Sequence, residues 1–213
     1  MANSNWFRNE DWNPNIEADF RQRLARARNK AQYLRIQASH LAERHPRVTL
    51  DLIAEYFAHE PNGVDMAQAH VDRAKAYLAL GNVGNAISSY EDALKREQEF
   101  PNWKTQAYVD FSCLVANARV ISLYTRALEV LDERGKPSLF PVERYRTDGS
   151  RALLLQELGR PEEAKLAAER AMAAASQIHS GLRHHPDLGL VKDTSDEFGK
   201  RVAALADASE RAS

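Results

Sequence analysis

Residues 74–94, Ala-Lys-Ala-Tyr-Leu-Ala-Leu-Gly-Asn-Val-Gly-Asn-Ala-Ile-Ser-Ser-Tyr-Glu-Asp-Ala-Leu, constrain the fold more than any other stretch. Ala74, Tyr77 and Leu78 give one helix an apolar stripe, and Ala86, Ile87, Tyr90, Ala93 and Leu94 give a second helix another. Between them, Gly81 supplies the left-handed conformation that ends a helix, while residues 82–85 make the turn and offer an N-cap. Small residues stand where the two helices must cross closely. One such hairpin cannot bury both of its faces, so it needs neighbours of the same construction.

The stretch resembles a tetratricopeptide repeat. That repeat runs over about 34 residues and places a small residue, an aromatic, a turn glycine, a small residue, an aromatic and a second small residue in order. Here they are Ala74, Tyr77, Gly81, Ala86, Tyr90 and Ala93. His70 stands where the repeat usually has tryptophan, Arg73 stands where it has leucine, and the closing proline comes late, at Pro101. The resemblance implies an all-α chain, an α-solenoid of stacked helix-turn-helix hairpins closed by a C-terminal capping helix.

Composition agrees with that class. With 213 residues, 44% apolar and 28% charged, the chain suits one domain with a real core, and 9 Gly and 8 Pro leave long runs free to be helical. A net charge of −1 argues against a general polyanion or polycation binder. A single cysteine, Cys113, excludes an internal disulfide framework. The first residues lack the basic-then-apolar pattern of a signal segment, and no apolar run reaches membrane-spanning length. The expectation is a cytoplasmic chain with no membrane contact.

Taken in order, residues 1–13 form an arm with two of the three tryptophans, Trp6 and Trp12. Burying each ring is worth about 2–3 kcal/mol, so the arm packs on its own domain, on a partner or in the chain's own groove. One helical domain then spans 14–206, with repeats at about 31–64, 65–101, 102–135 and 145–178. Asn13-Pro14 caps a first helix whose apolar residues, Ile16 to Leu41, recur every three or four positions. It reads as one helix to about Arg44, with a break near Asn29 as the alternative. Pro46 opens the next, which ends at residues 60–63. Residues 102–134 contain no Gly or Pro and read as two helices with a turn near Ala116-Asn117 that lost its glycine. Ala152, Leu155, Gly159, Ala164, Ala168 and Ala171 make a second clear repeat. Gly81 and Gly159 lie 78 positions apart, and the excess over two periods is assigned to the loop at 135–141. Thr194 or Ser195 caps a last helix, 194–206, and 207–213 fray.

No constellation of residues points to catalysis or to a cofactor. His179, His184 and His185 share a loop with Asp187, but they have neither metal-ligand spacing on a helix nor a cysteine partner. Cys113 sits in an apolar helix, where a buried inert thiol is usual. There is no Gly-x-Ser-x-Gly elbow and no phosphate loop. The first helix is basic. Arg21, Arg28 and Arg35 are seven apart and would share one face, a stripe for an acidic protein segment or for nucleic acid. Nucleic acid is the weaker choice, because no aromatic residues are interleaved with the arginines.

The resemblance also implies a ligand face. Repeats of this family bind peptides on the inner wall formed by each first helix. Transferred here, that wall takes Leu34, Arg35, Ala38 and Leu41 from the first hairpin and Gln68, Val71, Lys75 and Leu78 from the second. The third contributes Thr105, Gln106, Val109 and Ser112. The implied partner is a protein or peptide, held as an amphipathic helix or an extended segment, with self-association left open.

Overall fold

The computed structural model describes residues 5–133 and 138–208. Among them are ten α-helices and no strand, consistent with an α-solenoid of helical hairpins. The chain gathers into two compact units, residues 1–107 and 108–213, each described in turn below.

The first unit holds α1 (Pro14–Arg26), α2 (Lys30–Leu41), α3 (Pro46–His59), α4 (Met66–Ala79) and α5 (Val83–Glu99). Asn13 starts α1 by accepting from the backbone N–H groups of Asn15 and Ile16, both at 3.0 Å, with Pro14 in the first turn. The long helix expected from 14 to 44 is broken. Ala27 is extended, and the Asn29 side chain accepts from the Gln32 N–H at 3.3 Å, so a new helix begins there. The apolar spacing continues across the break because both helices bury the same core, so periodicity alone cannot reveal it.

Helices α2 and α3 pair, α4 packs against α3, and α5 pairs with α4. The aromatic arm folds onto this unit. Trp6, Phe7 and Trp12 pack on the cluster around Phe20 and Leu34, and the Trp6 ring lies 4.9 Å from that of Tyr33. Gln37, fully buried, holds the arm. Its Oε1 accepts from the Asn9 N–H at 3.1 Å, and its Nε2 donates to the Asn9 carbonyl at 2.7 Å. A buried amide satisfied in this way fixes the position of the arm.

The second unit holds α6 (Ala107–Asn117), a short 3-10 turn (Ile121–Leu123), α7 (Tyr124–Glu133), α8 (Pro141–Glu157), α9 (Pro161–Ala175) and α10 (Glu197–Ala206). The stretch after Asn102 is two helices, as its pattern suggested, with the turn at 118–120, directly after Ala116-Asn117. Helix α8 begins four residues ahead of the expected position, at Pro141. Asp196, not Thr194 or Ser195, caps α10 by accepting from the Gly199 N–H at 2.7 Å. This last helix packs on α9 and α8, and Gly149 makes room for it. A Cβ there would stand 2.7 Å from the Phe198 ring. Residues 135–137 of the expected loop and 209–213 of the expected frayed tail lie outside the described residues.

Three turns share one hydrogen-bond pattern. Gly81 (φ 72°), Arg119 (φ 53°) and Gly159 (φ 73°) are left-handed. After each, the next N–H donates to the carbonyl five residues back: Asn82 to Tyr77 at 2.8 Å, Val120 to Val115 at 3.1 Å and Arg160 to Leu155 at 2.9 Å. The three turns stand 38 and 40 positions apart, so the extra residues are divided between both intervals and not confined to 135–141. Arg119 occupies a position where an L side chain costs about 1–2 kcal/mol, whereas a Cβ at Gly159 meets nothing within 4 Å. We therefore predict that Arg119→Gly raises the unfolding free energy by about 0.5–1 kcal/mol and that Gly159→Ala lowers it by about 1 kcal/mol. Urea denaturation of the two variants checks this.

Candidate functional site

In each unit the first helices of successive hairpins lie side by side and are tied by polar contacts. In the first unit, Arg35 of α2 donates from Nε to Asp65 at 3.3 Å and places a terminal nitrogen 3.5 Å from Asp72 of α4. Gln68 donates to the other oxygen of Asp72 at 3.0 Å. Asp72 is only 2% exposed, and burial pushes its carboxyl above the usual carboxylate range despite Gln68 and Arg35. Lys75 and the half-buried Leu78 continue the outer face of α4. In the second unit, Arg146 of α8 donates to Asp110 of α6 at 2.8 Å, the Tyr108 hydroxyl donates to Glu143, and Cys113 meets the Ser150 hydroxyl at 2.9 Å. Burial raises the Cys113 thiol pKa, which works against the reactive thiolate.

Of the twelve residues assigned to the ligand face, six are core. Leu34, Ala38, Leu41, Val71, Val109 and Ser112 are all buried, and Ser112 donates to the Ala127 carbonyl of α7 at 3.2 Å. The cause is helical geometry: positions 34, 38 and 41 lie on the stripe with which α2 buries itself, not on its outer side. Thr105 and Gln106 precede α6, and the Thr105 N–H donates to Glu97 at 2.8 Å. Arg35, Gln68, Lys75 and Leu78 remain on the surface of the α2/α4 pair. Asp72 and Asp65, which organise that surface, were missed. A carboxylate buried within a helix leaves no periodic signal, although Gln68 four residues before Asp72 is the spacing that lets the two meet.

The basic stripe is not formed. The break at 27–29 removes the shared helical register that Arg21, Arg28 and Arg35 needed. Arg21 donates to Glu55 of α3 at 2.6 Å, and Arg35 faces Asp65 and Asp72. Arg28 is exposed in the break itself. His179, His184 and His185 are exposed in their loop, and among the described residues no three His, Cys, Asp or Glu side chains converge as metal ligands would. Among those residues no helix is long and apolar enough to cross a membrane.

The α4/α5 hairpin carries the features of the expected repeat, including a buried Ala74, Ala86, Tyr90 and Ala93 and the left-handed Gly81. A family model for the tetratricopeptide repeat matches residues 67–100, which covers this hairpin. The chain contains a tetratricopeptide repeat. No curated protein and no solved structure matches the chain. Tetratricopeptide repeats generally mediate protein–protein interaction.

Where this repeat departs from its family's pattern, polar contacts replace apolar ones. Arg73 donates to the Ser89 hydroxyl at 3.0 Å and to Asp92 at 2.6 Å, and its guanidinium lies 5.5 Å over the Phe57 ring. His70 stacks 4.8 Å from Phe57, with Nδ1 4.0 Å from Asp92. Burial, then the neighbouring Arg73, push the His70 pKa down to about 4. A depressed folded-state value means that the stabilisation is complete above the ordinary value near 6.5 and is lost as pH falls from there toward 4. Between pH 7 and 4.5 the wild type should lose on the order of 2 kcal/mol more than His70→Phe, as read by urea denaturation at both pH values. Equal losses would show that His70 does not titrate in a buried site.

Proposed function

We propose that this chain is a protein–protein interaction module that holds a peptide or helix of a partner protein on the outer face of α2 and α4, with no catalysis of its own. The observation that supports it is the make-up of that face. Arg35, Gln68 and Asp72 form a fixed polar network, and the exposed Lys75 and half-buried Leu78 sit beside it on α4. A preorganised polar rim beside an aliphatic side chain suits an amphipathic segment, because its ordering cost is met before binding. A scaffold role in the cytoplasm fits the single cysteine, Cys113. The partner's identity is not set by the fold, and a second copy of the chain is one candidate.

The test is affinity capture with chemical cross-linking, comparing the full chain with Lys75→Glu/Leu78→Asp. Lys75 is exposed and Leu78 only half-buried, and an unchanged circular dichroism spectrum shows that the variant keeps the fold. Recovery of the partner should fall about tenfold or more, equivalent to about 1.4 kcal/mol. Undiminished recovery would place the interaction elsewhere on the molecule.

A further inference from the structure

In the second unit, the face matching α2/α4 is occupied by the chain itself. Residues 190–195 run without regular structure from the loop after α9 to the cap of α10. Residues 190–193 line, together with side chains of α6 and α8, a cavity of about 440 Å³ bounded by Cys113, Asn117, Tyr145, Arg146, Leu190 and Val191. This strap is fastened at its ends. The Val142 N–H donates to the Gly189 carbonyl at 2.8 Å, and at the other end Asp196 caps α10, whose Arg201 donates to the Ala116 carbonyl of α6 at 3.3 Å. Between those fastenings Lys192 and Asp193 are exposed. Leu190 and Val191 are only half-buried, with the cavity beside them. A segment held at both ends, with few buried contacts between, opens locally at low cost.

We propose that the strap is a built-in pseudo-ligand of the α6/α8 face. When it lifts, the face takes an extended segment of another protein whose two adjacent aliphatic residues replace Leu190 and Val191 and fill the space left against Tyr145 and Arg146. The strap itself defines that partner chemistry, since it is an extended chain already seated on the face. The inference rests on the same premise as the function proposed above, that first helices present the ligand face, but it concerns a different pair of helices.

Two measurements on the full chain test it. In hydrogen exchange, the amides of residues 190–194 should exchange about a hundredfold faster than those of α8 and α9; exchange only through global unfolding overturns the proposal. A fluorescein-labelled peptide with the sequence of residues 188–195 should bind Leu190→Ser/Val191→Ser about tenfold more tightly than it binds the wild type, whose own strap competes. Equal binding to both, or none to either, overturns it. Collapse of the double variant does too, since a strap needed for folding is not a detachable ligand. Lys75→Glu/Leu78→Asp should leave peptide binding unchanged, so failure here and failure of the α2/α4 reading are told apart.

Discussion

Close crossing of the two helices within a hairpin is the constraint on which the rest of the structure depends. Backbones approach closely only where the side chains between them are small, and the chain places alanine there. Ala74, Ala86 and Ala93 are fully buried in the first unit, and Ala152, Ala164, Ala168 and Ala171 in the second. Each hairpin then behaves as one body whose remaining apolar faces must be covered by neighbours. The left-handed residues at 81, 119 and 159 reverse the chain tightly enough for the crossing to occur. At 119 the geometry persists in arginine, which marks it as a demand of the packing and not a preference of the residue.

Side-by-side first helices follow from this stacking, and they carry the functional argument. Contacts between α2 and α4 and between α6 and α8 include charge and hydroxyl pairs, among them Arg35 with Asp72, Arg146 with Asp110 and Cys113 with Ser150. Buried pairs of this kind add little net stability, because desolvation offsets much of the attraction, but they fix which groups face outward and where. The two units differ in what covers those groups. In the second, residues 190–193 border a cavity that side chains of α6 and α8 also line.

The hairpins were legible in the sequence because helical spacing, a turn glycine and paired alanines all report local geometry. What was lost depended on direction around the helix axis. Leu34, Ala38 and Leu41 were assigned to the ligand face by transfer from the repeat pattern, yet their spacing of four and three is that of a burying stripe. The break at Asn29 stood only as the alternative to a continuous helix, because α1 and α2 bury the same core and the apolar rhythm continues across it. Asp72 and Gln37 could not be found at all. Their burial depends on Arg35, Gln68 and Asn9, which only the folded chain brings within reach.

A double-mutant cycle between Arg35 and Asp72 tests most directly whether α2 and α4 present one continuous face. Arg35→Met, Asp72→Asn and the double variant would be unfolded in urea alongside the wild type. Side chains in contact across two helices should give a coupling energy of about 1 kcal/mol or more. Additivity within about 0.3 kcal/mol would mean that the two helices do not meet there in solution, and would contradict the account.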